Sequence, residues 1–233
     1  MSQHPLWSAC EVKAAPIVQK SLTDTVEERI REMIVSGALE FGQQITERQL
    51  ADQFDVSKTP VREAMARLVS EGLLEVKPRT GNFVFSPTEG VITQITDLRR
   101  LLECGALKSA LRHDRDGLLA ELRDNVARSR HVHESDDPSQ SYRKLDNAFH
   151  ATLFAYADNP YLSQAYDVIA HKVRAMRNRL TFPPAFIRVS LAQHEEVVDL
   201  LENDRVGEAV MHLDYHIGAS FSDRARRLLA SGA

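Results

Sequence analysis

This chain is poor in cysteine, has no long apolar run and carries no surplus of positive charge, and each shortage excludes a class of protein. Its two cysteines, Cys10 and Cys104, lie far apart and share no ligand spacing. That excludes a disulfide scaffold and a thiolate metal site, and it fits a reducing cytoplasm. No run of about 18 apolar residues occurs, so no membrane span is expected. The N-terminus lacks a basic segment leading into an apolar core, so no export is expected either. The net charge is −4, with no basic tail, and residues 21–85 hold eight Lys or Arg against eleven Asp or Glu. Any binding of nucleic acid must therefore come from the placement of cations and not from bulk charge. What the chain does have is 43% apolar content over 233 residues, enough for two modest cores and two domains.

The stretch from Thr46 to Phe85 carries the densest local signals. Thr46 and Gln49 form a T-x-x-Q capping box that starts a short helix with Leu50, Ala51 and Phe54 as its apolar stripe. After the Asp55-Val56 turn, Ser57 is placed to cap a second helix, and Pro60 fits the first turn because its missing N–H breaks no hydrogen bond there. Val61, Ala64, Met65 and Leu68 recur at i, i+3, i+4 and i+7, which leaves Lys58, Thr59, Arg62 and Ala66 on or beside the other face. Two β-type runs follow, Leu73 to Lys77 and Asn82 to Phe85, joined by a Pro-Arg-Thr-Gly turn. Upstream, a helix is expected from Thr23 or Thr25 to Ser36, with Val26, Ile30, Met33 and Ile34 inward and Gly37 at its end. Together these elements make a winged helix-turn-helix. The N-terminal end of its second helix can face base edges in a major groove while the basic wing reaches a neighbouring groove or phosphate.

The run from Gly37 to Val84, above all VSKTPVREAMARLVSEGLL, resembles the DNA-binding domain of GntR-family bacterial regulators. The resemblance implies that Arg48, Lys58, Thr59 and Arg62 touch operator bases or phosphates, and that Gly81 is the wing-tip glycine. Two positions depart from the pattern. Lys58 stands where Arg is more usual, which replaces a planar fork by a point charge, and Phe41 precedes Gly42 where Pro is common.

Residues 1–20, with two prolines and no period, are expected to form a flexible arm, 21–85 the winged-helix domain, 86–90 a linker and 91–233 a second domain. This second domain reads as helices near 88–112, 115–134, 138–157, 160–181, 184–203 and 205–230, an all-α bundle of about six helices. The fold class expected is therefore mainly α. Within the bundle, Asp146 and His150 are four apart and share a helix face; His194 and His216 lie in later helices, with His212 as a rival to His216. Arg174, Arg177 and Arg179 read as a solvated or dimer-facing stripe, from which one could enter the pocket, with nothing to choose among them.

The segments around Asp97–Glu103, Leu145–His150, Asn159-Pro160, His194 and Asp204–His216 resemble the FCD ligand-binding domain of the FadR-type branch of GntR regulators. By that resemblance Asp146, His150, His194 and His216 hold a divalent metal, for which Zn, Ni, Fe and Mn all suit the donor set. Arg99 matches an arginine that faces the effector pocket and could pair with a carboxylate; its alternative is a surface pair with Glu103. The expected protein is a dimeric cytoplasmic transcription regulator, a repressor, whose operator affinity responds to a small carboxylate or sugar-acid effector. The rival readings are an all-α metallohydrolase with a DNA-binding appendage and a regulator with a purely structural metal.

Overall fold

The computed structural model describes residues 21–180 and 182–219; the arm at 1–20, Cys10 and the end of the last expected helix lie outside them. Helix α1 (Leu22–Ser36) begins at a reciprocal capping box between Ser21 and Asp24 and ends at Gly37, whose φ of 93° needs a residue without Cβ. Its inward stripe is Val26, Ile30, Ile34 and Val35; Met33 is only half-buried. Helix α2 (Glu47–Phe54) starts at the Thr46–Gln49 box and stops at Asp55 in the left-handed region. Helix α3 (Lys58–Ser70) buries Val61, Ala64, Met65 and Leu68 against α1 and α2, as the spacing requires. Ser57 does sit at the capping position, but its side chain makes no capping bond.

Three short strands complete the head: β1 (Gln44–Ile45), β2 (Leu74–Lys77) and β3 (Gly81–Val84), antiparallel in the order β1-β3-β2. Strand β1 was not expected, because two residues are too few to show a period of two. Lys77 pairs with Gly81 across the wing turn, in which Arg79 and Gly81 have φ of 63° and 117°. Gln44 donates to Thr80 O at 2.6 Å and ties the wing tip back to β1.

The bundle follows at once. Thr88 caps helix α4 (Glu89–His113), so residues 89 and 90 belong to the helix and the linker is shorter than expected. Helix α5 (Arg115–Arg130) also ends earlier than its pattern suggests, in a single 3-10 turn at Val132–Glu134. Helices α6 (Pro138–Ala155), α7 (Pro160–Asn178) and α8 (Pro184–Glu202) each open on a proline, and Asp137 and Asn159 cap the first two. The described part of the last helix, α9, is Val206–Ile217. The main core joins Leu107 and Ala110 of α4, Leu118 and Leu122 of α5, Phe149 and Leu153 of α6, Val197 and Leu201 of α8, and Leu213 of α9.

Helix α7 packs differently. Ile169, Val173 and Met176 lie on Ile92 and Ile95 of α4, while Ala175 enters the core of the head. At its end, Asn178 donates to Val35 O at 2.8 Å, and Arg179, the next residue, donates to Ile34 O at 3.1 Å and Leu39 O at 2.5 Å. The Arg179 guanidinium also lies 3.9 Å from the centre of the Phe41 ring. These bonds supply donor partners to carbonyls at and just beyond the C-terminal end of α1, whose last turn has no basic residue of its own. No described helix is long and apolar enough to cross a membrane.

Candidate functional site

Two regions carry functional chemistry. On the head, Lys58, Thr59 and Arg62 are all exposed on the N-terminal half of α3. Arg62 is 68% exposed and is held by Glu47 at the start of α2: its Nε donates at 3.0 and 3.2 Å and its Nη2 at 3.0 Å to the carboxylate. The bidentate grip fixes the guanidinium plane, which is what base reading by a planar fork needs. Arg48 is freer, 81% exposed and 3.6 Å from Asp52. Gly81 sits at the wing tip beside Gln44.

The second region lies inside the bundle. Asp146 and His150 come from α6, His194 from α8 and His216 from α9, all buried, with one ligand atom of each within 4.8 Å of the others. His194 Nε2 is 3.0 Å from His216 Nε2, which is 3.4 Å from His150 Nε2; His194 Nε2 is 3.7 Å from Asp146 Oδ1. A face-to-face stack on Phe149, centroids 3.9 Å apart, sets the plane of the His194 ring. His212, half-buried one turn before His216 on α9, is not in the set.

The outer partners determine which nitrogens carry protons. His150 Nδ1 faces Glu103 Oε2 at 2.6 Å, and a carboxylate can only accept, so Nδ1 donates there and Nε2 is the nitrogen turned to the Asp146 set. His216 Nδ1 faces Gln193 Oε1 at 2.8 Å, with the same consequence. Burial pushes the Glu103 carboxyl up, but Arg99 and His150 outweigh it and bring it down to about 2. Burial, reinforced by the neighbouring cationic and imidazole groups, pushes His194 and His216 well below the ordinary imidazole value. At neutral pH these two rings are therefore neutral, and the Nε2 atoms of His150, His194 and His216 converge beside the Asp146 carboxylate. That donor set fits a divalent cation.

Arg177 and Arg179 differ from a solvated stripe, and Arg99 differs from its surface alternative. Arg99 is 1% exposed and not a surface residue; its Nε donates to Glu103 at 2.8 Å, behind His150, and Tyr166 joins the same group. Arg177 is buried and ion-paired with Asp146, and Arg179 grips α1. Only Arg174 keeps an exposed position. A run of arginines two or three apart gives no hint of burial, because long side chains from one helix end can reach opposite ways. Glu103 had a visible i+4 partner, but Gln193, Arg177 and Glu47 carried no motif.

A three-helix head with a β wing, joined to an all-α bundle, defines a winged helix-turn-helix DNA-binding protein. Residues 22–84 match the family model described as bacterial regulatory proteins of the gntR family, and residues 94–219 match the FCD domain. The chain is 30% identical over 204 residues to an HTH-type transcriptional regulator in an unstable DNA locus of Streptomyces ambofaciens, covering 85% of this chain and 83% of the relative. It is 27% identical over 187 residues to the HTH-type transcriptional repressor RspR of Escherichia coli (strain K12), covering 78% of each. A GntR-type regulator from Rhodococcus sp. RHA1 shares the fold with a TM-score of 0.70, at 21% identity, over 89% of this chain and 97% of that one. The chain belongs to the GntR family of bacterial transcriptional regulators and carries an FCD domain; it is a regulator and not an enzyme. FCD domains can bind metal.

Proposed function

We propose that the protein is a homodimeric repressor whose hold on operator DNA is set by a small organic-acid effector at a divalent metal inside the bundle. Lys58, Thr59 and Arg62 read the operator from α3, with Arg48 and the Gly81 wing tip completing the contact. Two heads in a dimer supply the symmetric half-site reading that one short helix cannot. Asp146, His150, His194 and His216 hold the metal, which when bound offers a Lewis-acidic position to an effector's carboxylate or hydroxyl oxygens. Arg99, buried behind this set, adds the positive charge a carboxylate effector needs.

The observation that carries the sensor half is the convergence of four buried ligand atoms, one each from Asp146, His150, His194 and His216, within 4.8 Å of one another. Nδ1 of His150 and of His216 faces Glu103 and Gln193, which leaves their Nε2 atoms, 3.4 Å apart, turned to that set. A divalent cation there would be held by these nitrogens together with His194 and Asp146. Isothermal titration of tag-free protein with zinc chloride tests this. One site per chain, lost in His150→Ala, is expected; no saturable binding would reject the metal reading. Thermal-shift screening of organic acids with and without chelator then identifies the effector, because a ligand that prefers the folded state raises its melting temperature.

A further inference from the structure

Arg177 and Arg179 leave the same end of α7 in opposite directions, one into the Asp146 set and the other into the carbonyls that end α1. We propose that Arg177 is the cation Asp146 holds when no divalent ion is bound, and that Asn178 and Arg179 carry the loss of this pairing to the head. The proposal rests on the metal reading above.

The argument runs from charge to chain. Asp146 lies within 3.7 Å of His194 Nε2 and is also ion-paired to Arg177, so one carboxylate serves both the ligand set and a buried guanidinium. Turned towards a divalent ion, that carboxylate serves Arg177 less. A buried guanidinium deprived of its counter-charge is unfavourable, so its helix end has to shift or recruit another anion. The next two residues have little freedom to let that happen in isolation. Asn178 holds Val35 O, and Arg179 holds Ile34 O and Leu39 O while covering Phe41. Those carbonyls surround the αL turn at Gly37, where the Leu39 N–H bonds back to Met33 O at 3.0 Å. A displaced α7 end therefore loosens the end of α1, and α1 is the helix against which the DNA-reading α3 packs.

Zinc titration combined with amide hydrogen exchange tests the relay on the full chain. In the wild type, zinc is expected to speed exchange of the Leu39 amide. Arg177→Met removes the competing cation, so it should bind zinc about 10-fold more tightly, equivalent to about 1.4 kcal/mol, and its Leu39 exchange should no longer respond. Should Arg177→Met not fold, Arg179→Gln provides the same test from the other side: unchanged zinc affinity, with Leu39 exchange already fast and indifferent to zinc. Zinc binding that leaves wild-type Leu39 exchange unchanged overturns the relay and leaves the metal site standing. No zinc binding at all overturns both.

Discussion

Arg62 is exposed and still immobilised, because Glu47 takes its Nε and one Nη. A guanidinium held in one plane loses little freedom on meeting a guanine edge. Arg62→Ala should weaken specific DNA binding roughly 5- to 150-fold, the range for one good base contact. Fluorescence anisotropy on DNA selected from a random pool measures this, and equal affinities would remove Arg62 from the reading face. Inside the bundle, Glu103→Gln takes the charge from behind His150 and leaves Arg99 facing a neutral amide. Zinc affinity should drop by about 10- to 100-fold, as is usual when an outer partner of a ligating histidine is changed; competition with a chelating dye reads it. At this scale the sequence was legible where spacing carried the chemistry. Asp146 and His150 share a helix face at i, i+4, and family resemblance indicated His194 and His216, which the fold brings together from two other helices. Arg99 and Glu103 were visible as a pair, but their burial depends on α6 and α7 packing over them, which no local pattern encodes.

At the level of elements, the helix starts were the clearest signals, because a capping side chain must sit within three residues of the amide it satisfies. Thr46 with Gln49 forms the expected box, and Asp114, Asp137 and Asn159 cap helices that start at 115, 138 and 160, as expected. Strand β1 and the early end of α5 were not legible, since both are set by neighbours distant in sequence. Leu68, fully buried in the head, should cost about 2–5 kcal/mol of head stability when changed to Ala; a denaturant melt followed by circular dichroism measures it. The start of α1 adds a pH dependence. Asp24, bonded first by Arg67 and then by Ser21, has its carboxyl lowered to about 2. Because the folded value is the lower one, its stabilising effect is complete above the ordinary value of 3.8 and disappears as pH falls towards 2. Asp24→Asn should flatten that part of the acid melting curve.

For the whole molecule, the decisive feature is that the head does not hang on its linker alone. It rests on α7, whose last residues touch both the buried ligand set and the end of α1. The sequence led to an expected linker at 86–90 but showed no sign of this second connection, because its partners are backbone carbonyls and carry no residue code. Under the proposed relay, an occupant of the Asp146 set and DNA at α3 would be linked reciprocally, with a coupling of about 1–3 kcal/mol expected for such switches. The most direct measurement is DNA affinity at one fixed salt concentration, with zinc buffered and with zinc chelated, in the wild type and in His150→Ala. The account predicts a change of roughly 5- to 150-fold in the wild type and none in the variant. Identical wild-type affinities across zinc concentrations shown to fill the site would contradict it.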